Sequence, residues 1–357
     1  MVARPFGSKE KSCQSLQDPQ MHQLSDNFGL NKSKRNALDQ PVELSIICVN
    51  WNSIAYLREC LASVYEHTGD ITFEIVVVDN ASTEGGLESL EMEFQNIRMI
   101  RSPRNLGFAG ANNIEFQNSK GTFVLFLNPD TKLVGPAINI MLNYMKVLPD
   151  AGIVGCKLLN SDLTISPTSF QKFPTILNQV MDVEFLQVHW PNCPLWELGP
   201  LYSGDKRAFQ VEVIPGACML IKREVFQRVG MFSEDYFMYA EDLDLNYKIK
   251  GEGLANYYVS DASIIHHGGK SSSRTKTSNW ATTMKYRAMM KYYLKWRGSP
   301  YGFIYRIAMG AAAMFRLVIL VIVFPFGNKG NIRSALSKWS AVLKWAVGRQ
   351  YMALEDR

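Results

Sequence analysis

The chain has 357 residues, 47% hydrophobic and 20% charged, which is material for one large or two modest folded domains and excludes a disordered chain. Its formal net charge of +5 hides a division: residues 262–354 hold fifteen Lys or Arg and no Asp or Glu, so the remainder, with 23 basic and 33 acidic side chains, stands at −10. Six scattered cysteines (Cys13, Cys48, Cys60, Cys156, Cys193, Cys218) without a CxxC pair exclude a disulfide framework and a structural zinc site, and fit a reducing cytoplasm.

Residues 1–40, polar and rich in Ser, Gln, Asn and Lys, lack the apolar core of a signal peptide and read as a disordered tail. VELSIICVNWN (42–52) reads as a buried strand. A helix follows over 53–66, with Leu57, Leu61 and Val64 at helical spacing and Ser53 as its cap. FEIVVVDNAS (73–82) is a second buried strand ending at Asp79-Asn80, followed by a helix-like stretch, a short strand at 97–102, and a Gly/Asn-rich loop with a helix over 104–118. TFVLFLNPDT (122–131) is the third strong apolar run.

This alternation describes a parallel α/β sheet with crossover helices, whose ligands gather at the carboxyl ends of the strands. Asn50-Trp51-Asn52, Asp79-Asn80 and Asn128-Pro129-Asp130 should therefore be neighbours, although each alone could be an ordinary turn. A helix over 135–148 precedes an irregular segment, 160–210, rich in Pro and aromatic residues. A strand running into a helix (211–230), an acidic helix start (231–253) and a last strand (255–269) complete the α/β part. Neither G-x-G-x-x-G nor G-x-x-x-x-G-K-[ST] occurs, which argues against a dinucleotide oxidoreductase and a P-loop ATPase.

In the basic third, residues 307–326 form an apolar stretch about as long as a bilayer span, interrupted by Arg316. A central Arg costs about 2.5–3.5 kcal/mol on insertion scales, so spanning is marginal and a hairpin, re-entrant or surface-lying helix competes with it. Further on, Ile332, Ala335, Leu336, Trp339, Val342, Leu343 and Ala346 share one helical face, with Arg333, Ser337, Lys338 and Lys344 elsewhere. A basic amphipathic helix of this kind suits an anionic membrane surface; packing on the domain or a homodimer contact are the alternatives.

Seven motifs, VNWN (49–52), VVVDNAS (76–82), NLGFAGANN (105–113), FLNPDT (126–131), GACML (216–220), YAEDLDL (239–245) and HHGGKSS (266–272), taken in this order, resemble the family 2 glycosyltransferases, and most closely their rhamnosyltransferase-like branch. The resemblance implies the GT-A fold over 41–280, a Rossmann-like, mostly parallel sheet flanked by helices, followed by a basic helical membrane-associating region over 281–357. It also implies an inverting hexosyltransferase in cell-surface polysaccharide synthesis at the cytoplasmic face of a bacterial inner membrane. Such an enzyme takes a nucleoside diphosphate sugar, here first of all a rhamnose donor, and a saccharide or lipid-linked acceptor, and does not bind nucleic acid.

By the same resemblance Asp79 would accept from a pyrimidine N–H, while Asn52, Asn105, Gly107, Asn112, Asn128 and Gly216 would line the donor site. Asp130 and His266 would hold Mg²⁺ or Mn²⁺, with His267 a competitor and Asn128 standing where the fold usually has the first Asp of Asp-x-Asp. Of the Glu241-Asp242 pair, Asp242 would be the general base. Lys270, Arg274 and Lys276 would close over the donor diphosphate. The competing reading, a non-catalytic saccharide-binding or scaffold protein on this fold, draws on the Asn128 departure.

Overall fold

A computed structural model describes residues 42–94, 96–181, 184–268, 278–325 and 328–348. The expected tail at 1–40 and the basic loop at 270–276, with Arg274, lie outside the described residues.

The first half follows the alternation expected from the sequence: β1 (Leu44–Asn50), α1 (Ile54–His67), β2 (Phe73–Asp79), α2 (Leu87–Glu93), β3 (Ile97–Arg101), α3 (Gly107–Gln117) and β4 (Phe123–Leu127). β1, β2 and β4 are continuous apolar runs because both faces of the sheet are covered. Ser53 precedes α1 as expected, but its hydroxyl donates to Asn50 Oδ1 and Glu84 Oε1 instead accepts from the Ile54 N–H, at 2.6 Å.

The second half is less regular. It comprises β5 (Thr131–Leu133), α4 (Ala137–Val147), β6 (Ala151–Leu159), α5 (Ile176–Val180), α6 (Glu184–His189), α7 (Gly199–Tyr202), β7 (Ala208–Val211), β8 (Cys218–Lys222), α8 (Arg223–Arg228), α9 (Glu241–Gly251) and β9 (Ala255–His266). Among the described residues nine strands form one sheet in the order β3-β2-β1-β4-β8-β6-β9-β5, with β7 also on β9. The β3-β2-β1-β4 half is parallel, whereas β8 runs antiparallel to both neighbours and β5 and β7 run antiparallel to β9. The sheet is therefore mixed and flanked by helices, and its first half is the parallel arrangement that the alternation leads us to expect. The run 122–131 divides into β4 and β5 at Asn128-Pro129-Asp130, and β6 was not anticipated.

Apolar faces of α1, α2 and α4 cover one side of the sheet through Leu57, Leu61, Leu90, Met141 and Leu142. On the other side lie α3, α8 and α9, with Phe116, Phe226, Leu245 and Ile249. A third cluster joins α10 (Ser278–Arg297), α11 (Ser299–Val323) and α12 (Lys329–Ala346) to this body: Tyr292, Tyr305, Met309 and Trp345 pack with Tyr236 and Leu243. The face of α12 expected to meet a membrane is turned inward, with Ile332 and Val342 buried and Trp339 and Ala346 packed against this third cluster. Arg316 of α11 also points inward, donating to the Val180 carbonyl at 2.6 Å and lying 4.3 Å from the Trp339 ring centroid.

Asp244, with no side-chain exposure, fastens this helical layer to α9. Its carboxylate accepts from Ser233 Oγ (2.5 Å), Lys295 Nζ (2.8 Å) and Trp296 Nε1 (2.7 Å), with Lys248 Nζ at 3.2 Å. Burial would raise its pKa, but these donors and cations outweigh burial and hold it below the usual carboxylate value. The resulting stabilisation is present above the unfolded-state pKa and is lost as pH falls through the lowered native one. Removing one partner of a buried pair costs about 3–5 kcal/mol. Asp244→Asn should lower the urea-unfolding free energy by about that amount at neutral pH, and a loss below about 1 kcal/mol would contradict the anchoring role.

Candidate active site

The register Asn50↔Asp79 brings the carboxyl ends of β1 and β2 level, beside the end of β4. Asn50 Nδ2 donates to Asp79 Oδ1 (2.9 Å) and Ser82 Oγ (3.1 Å), tying the two strand ends together. A cleft of about 890 Å³ opens above them, and the wall on this side includes Trp51, Asn80, Asn105, Gly107 and Phe108. Gly107 has φ +71°, and an added Cβ would lie 2.2 Å from the Phe237 carbonyl oxygen. That carbonyl accepts from the Phe108 N–H at 3.0 Å, so the start of α3 is clamped to the loop before α9.

The floor is the Asn128-Pro129-Asp130 turn. Asn128 N–H donates to the Ala217 carbonyl (3.0 Å), and the neighbouring pairing Thr131↔His266 carries β9 to the same place. Asp130 Oδ1 lies 3.3 Å from His266 Nε2, and both residues line the cleft. His267 turns elsewhere: Nδ1 meets Ser161 Oγ (2.8 Å), Nε2 lies 3.5 Å from Glu59 Oε2, and the ring packs on Tyr56. The Asp130 carboxylate oxygen suits Mn²⁺ or Mg²⁺, while the imidazole beside it is a softer nitrogen ligand that Mg²⁺ takes poorly. Among the described residues no third His, Cys, Asp or Glu joins them, so other coordination positions would fall to phosphate oxygens and water.

The opposite wall is the start of α9. Tyr239 (φ +71°) and Ala240 (φ +66°) are both left-handed, a conformation costing about 1–3 kcal/mol per non-glycine residue that persists only where surrounding structure enforces it. This turn presents Glu241 and Asp242 to the cleft. Asp242 Oδ2 accepts from Gly216 N–H (3.0 Å) and Oδ1 from Leu243 N–H (2.8 Å). Burial raises the Asp242 pKa, while these N–H groups and the charge of Lys285 oppose the rise. Glu241 is only 6% exposed, and burial followed by the Asp242 charge pushes its pKa well up. Its Oε2 has no hydrogen-bond partner among the described residues.

Of the residues singled out from sequence, Asn105, Gly107, Asn128, Asp130, Gly216, Glu241, Asp242 and His266 share this cleft. Asn52, Asp79 and Asn112 do not line it. Asp79 is buried, with Oδ1 on Asn50 and Oδ2 accepting from Ser82 N–H. Asn52 Oδ1 accepts from the Thr83 and Glu84 N–H groups, and Asn112 Nδ2 donates to the Phe108 carbonyl within α3. These three brace the wall, and so does the buried Asn80, which borders the cleft while its amide donates to Asn105 Oδ1 and the Gly107 carbonyl and accepts from the Leu106 N–H. Sequence reasoning missed Lys285 and Met289 of α10 and Lys338 of α12, which also line the cleft. No local pattern marks them, because their position depends on how the helical layer docks.

A family model described as Glycosyl transferase family 2 matches residues 45–230. An N-acetylglucosaminyl-diphospho-decaprenol L-rhamnosyltransferase of Mycobacterium tuberculosis is 27% identical over 253 residues, 68% of this chain and 81% of that protein. Rhamnosyltransferase WbbL of Escherichia coli is 25% identical over 254 residues, 68% of this chain and 92% of its own. Among solved structures, the mannosyltransferase PcManGT from Pyrobaculum calidifontis, in complex with GDP-Man and Mn²⁺, shares the fold at a TM-score of 0.56 and 16% identity, with 88% of each chain covered. The family model spans more than half of the 357 residues and takes in β1 to β4, whose carboxyl ends lie under the cleft; the chain belongs to glycosyl transferase family 2 and is a glycosyltransferase.

Proposed function

We propose that this enzyme transfers a sugar, with inversion, from a nucleoside diphosphate donor to a lipid-linked saccharide in cell-surface polysaccharide synthesis, and that rhamnose is the first donor to test. The observation that carries the reading is the opening of Asp242 and the Asp130–His266 pair into one cleft. The names of the Mycobacterium tuberculosis and Escherichia coli relatives support the sugar, and the former name supports a diphosphate-linked lipid acceptor.

In this mechanism Asp242 takes the proton of the acceptor hydroxyl as its oxygen attacks the anomeric carbon. The new C–O bond forms as the bond to the diphosphate breaks, and the leaving diphosphate carries away the electron pair. Gly216 and Leu243 N–H groups hold the Asp242 carboxylate in position. The buried Glu241 carboxyl offers a hydrogen bond to an acceptor hydroxyl. Trp51, Asn105 and Gly107 give the nucleoside an aromatic face, an amide and a close backbone approach, with the buried Asn80 holding Asn105 in place. Asp130 and His266 would hold a divalent cation, which when bound supplies charge neutralisation for the departing diphosphate.

Asp242→Asn should lower kcat about 10²–10⁴-fold with donor affinity unchanged in calorimetry, and wild-type turnover would overturn the assignment. Because the base must be ionised and its pKa is raised, the acid limb of the kcat profile should lie above the ordinary carboxylate value of about 4. An acid limb at or below that value would assign the proton to another group.

The reading places the enzyme on a membrane through α11, which is long and apolar enough to cross one. Its outward face exposes Ile307, Phe315, Val318 and Ile322, Phe315 at 68%. With the excess of cations over 262–354, this face suits an anionic surface. The full chain should float with anionic liposomes, and the combination Phe315→Glu, Val318→Glu and Ile322→Glu should abolish flotation. Equal flotation of the variant would dismiss α11 as the contact.

A further inference from the structure

We propose that a second cavity, beside the catalytic cleft, binds a neutral oligosaccharide: the part of the acceptor glycan that lies behind the sugar being extended. The inference rests on the reading of a saccharide acceptor above and adds a site that the transfer chemistry itself does not use.

The cavity has a volume of about 610 Å³, within the roughly 300–1,000 Å³ of ligand pockets. One wall is built where β7, the start of β9 and the end of α9 meet, with Val211, Asn256 and Lys250. The other comes from the irregular segment, through Phe173 and the stretch around Trp196. Phe170, Gln171, Lys172 and Trp196 line the catalytic cleft as well, so the two spaces share a border. Trp196 Nε1 donates to the Trp190 carbonyl at 2.7 Å, which fixes the ring at that border. The far wall is tied to the base: Asn256 Nδ2 donates to Asn246 Oδ1 (2.9 Å), and Asn246 Nδ2 donates to the Asp242 carbonyl (2.7 Å). A glycan seated here is therefore held in register with the carboxylate that reacts.

The lining selects the ligand. Two lysines and two glutamates border the cavity and cancel in charge. Lys172 Nζ pairs with Glu197 Oε1 at 2.8 Å, Glu212 Oε2 accepts from the Phe173 N–H at 2.7 Å, and Lys250 Nζ lies 5.1 Å from the Phe173 ring centroid. Such a wall has no net field to draw in a phosphate or a metal ion. It offers carboxylate acceptors, ammonium donors and aromatic rings around one space, and a hydroxyl, which both donates and accepts, suits that mixture. Asn256 adds a specific demand. It is only 4% exposed, its Nδ2 is engaged by Asn246 and the Glu212 carbonyl, and its Oδ1 has no partner among the described residues. An unsatisfied buried acceptor is costly, and a hydroxyl supplies the missing donor where a carboxylate or an ionised phosphate does not. A neutral polyhydroxyl ligand that borders the cleft of a glycosyltransferase is a glycan.

The test is calorimetry on the full chain without nucleotide or divalent cation, with N-acetylchitotriose, mannotriose and a rhamnose trisaccharide as neutral probes. At least one should bind, and the corresponding monosaccharide should bind more weakly. Glu212→Gln and Lys250→Met, the latter at an exposed position, should each weaken that binding about tenfold. Trp51→Ala and Asp242→Asn, both changed in the cleft, should bind the trisaccharide as wild type does. Binding of none of the three probes, or unchanged affinity in both cavity variants with wild-type melting curves, would overturn the site. Loss of binding in Trp51→Ala would place the saccharide in the cleft instead, and tighter binding of anionic trigalacturonate than of any neutral probe would overturn the choice of ligand. None of these outcomes touches the Asp242 assignment, which is read from turnover.

Discussion

The first turn of α9 is the constraint on which the rest of the molecule depends. Within four residues it holds three carboxyl groups, two of them buried, and each is held in a different way. Asp244 is fully enclosed and is held ionised by Lys295, Lys248, Ser233 and Trp296. Asp242 keeps an edge in the cleft and is oriented by two backbone N–H groups. Glu241 has an oxygen without a partner among the described residues and a pKa pushed upward by burial. A helix N-terminus tolerates such a concentration of negative charge because its free N–H groups and dipole favour it. The left-handed pair Tyr239-Ala240 sets the direction in which the turn points.

This turn also explains the division of charge along the chain. The basic third is not an appendage to an acidic catalytic body, because α10 supplies the cation that Asp244 requires and the helical layer supplies one wall of the cleft. Arg316, which in isolation would penalise a membrane helix, is directed at the Val180 carbonyl and the Trp339 ring, leaving the outward face of α11 apolar. A single helical layer can then serve two surfaces, with its inward side completing the site and its outward side available to lipid.

Most of the parallel half was legible because β1, β2 and β4 are continuous apolar runs that stop at Asn or Asp, a pattern produced by burial on both faces. β6 was not legible, since Gly152 weakens its strand signal; the glycine is there because Ile249 of α9 would meet an added Cβ at 2.2 Å. The start of α9 was misplaced toward 231 because Phe232 is held by tertiary bonds, its N–H donating to Asn113 Oδ1 and its carbonyl accepting from Asn113 Nδ2. At the site, motif residues at strand ends and at the α9 start came together as expected. Asp79 and Asn52 did not reach the cleft wall because neighbouring loops claim their side chains. Lys285 and Lys338 could not be read locally, being placed by contacts between elements far apart in sequence.

The proposed chemistry is a single displacement in which Asp242 deprotonates the acceptor on the face opposite the departing diphosphate. Its most direct test is proton NMR of the transfer as it proceeds, with the nucleotide sugar that the enzyme accepts, reading the anomeric coupling of donor and of newly formed glycoside. A single displacement gives the opposite anomeric configuration in the first product formed. Retention of the donor's configuration would require a second displacement or a different geometry, and would contradict it.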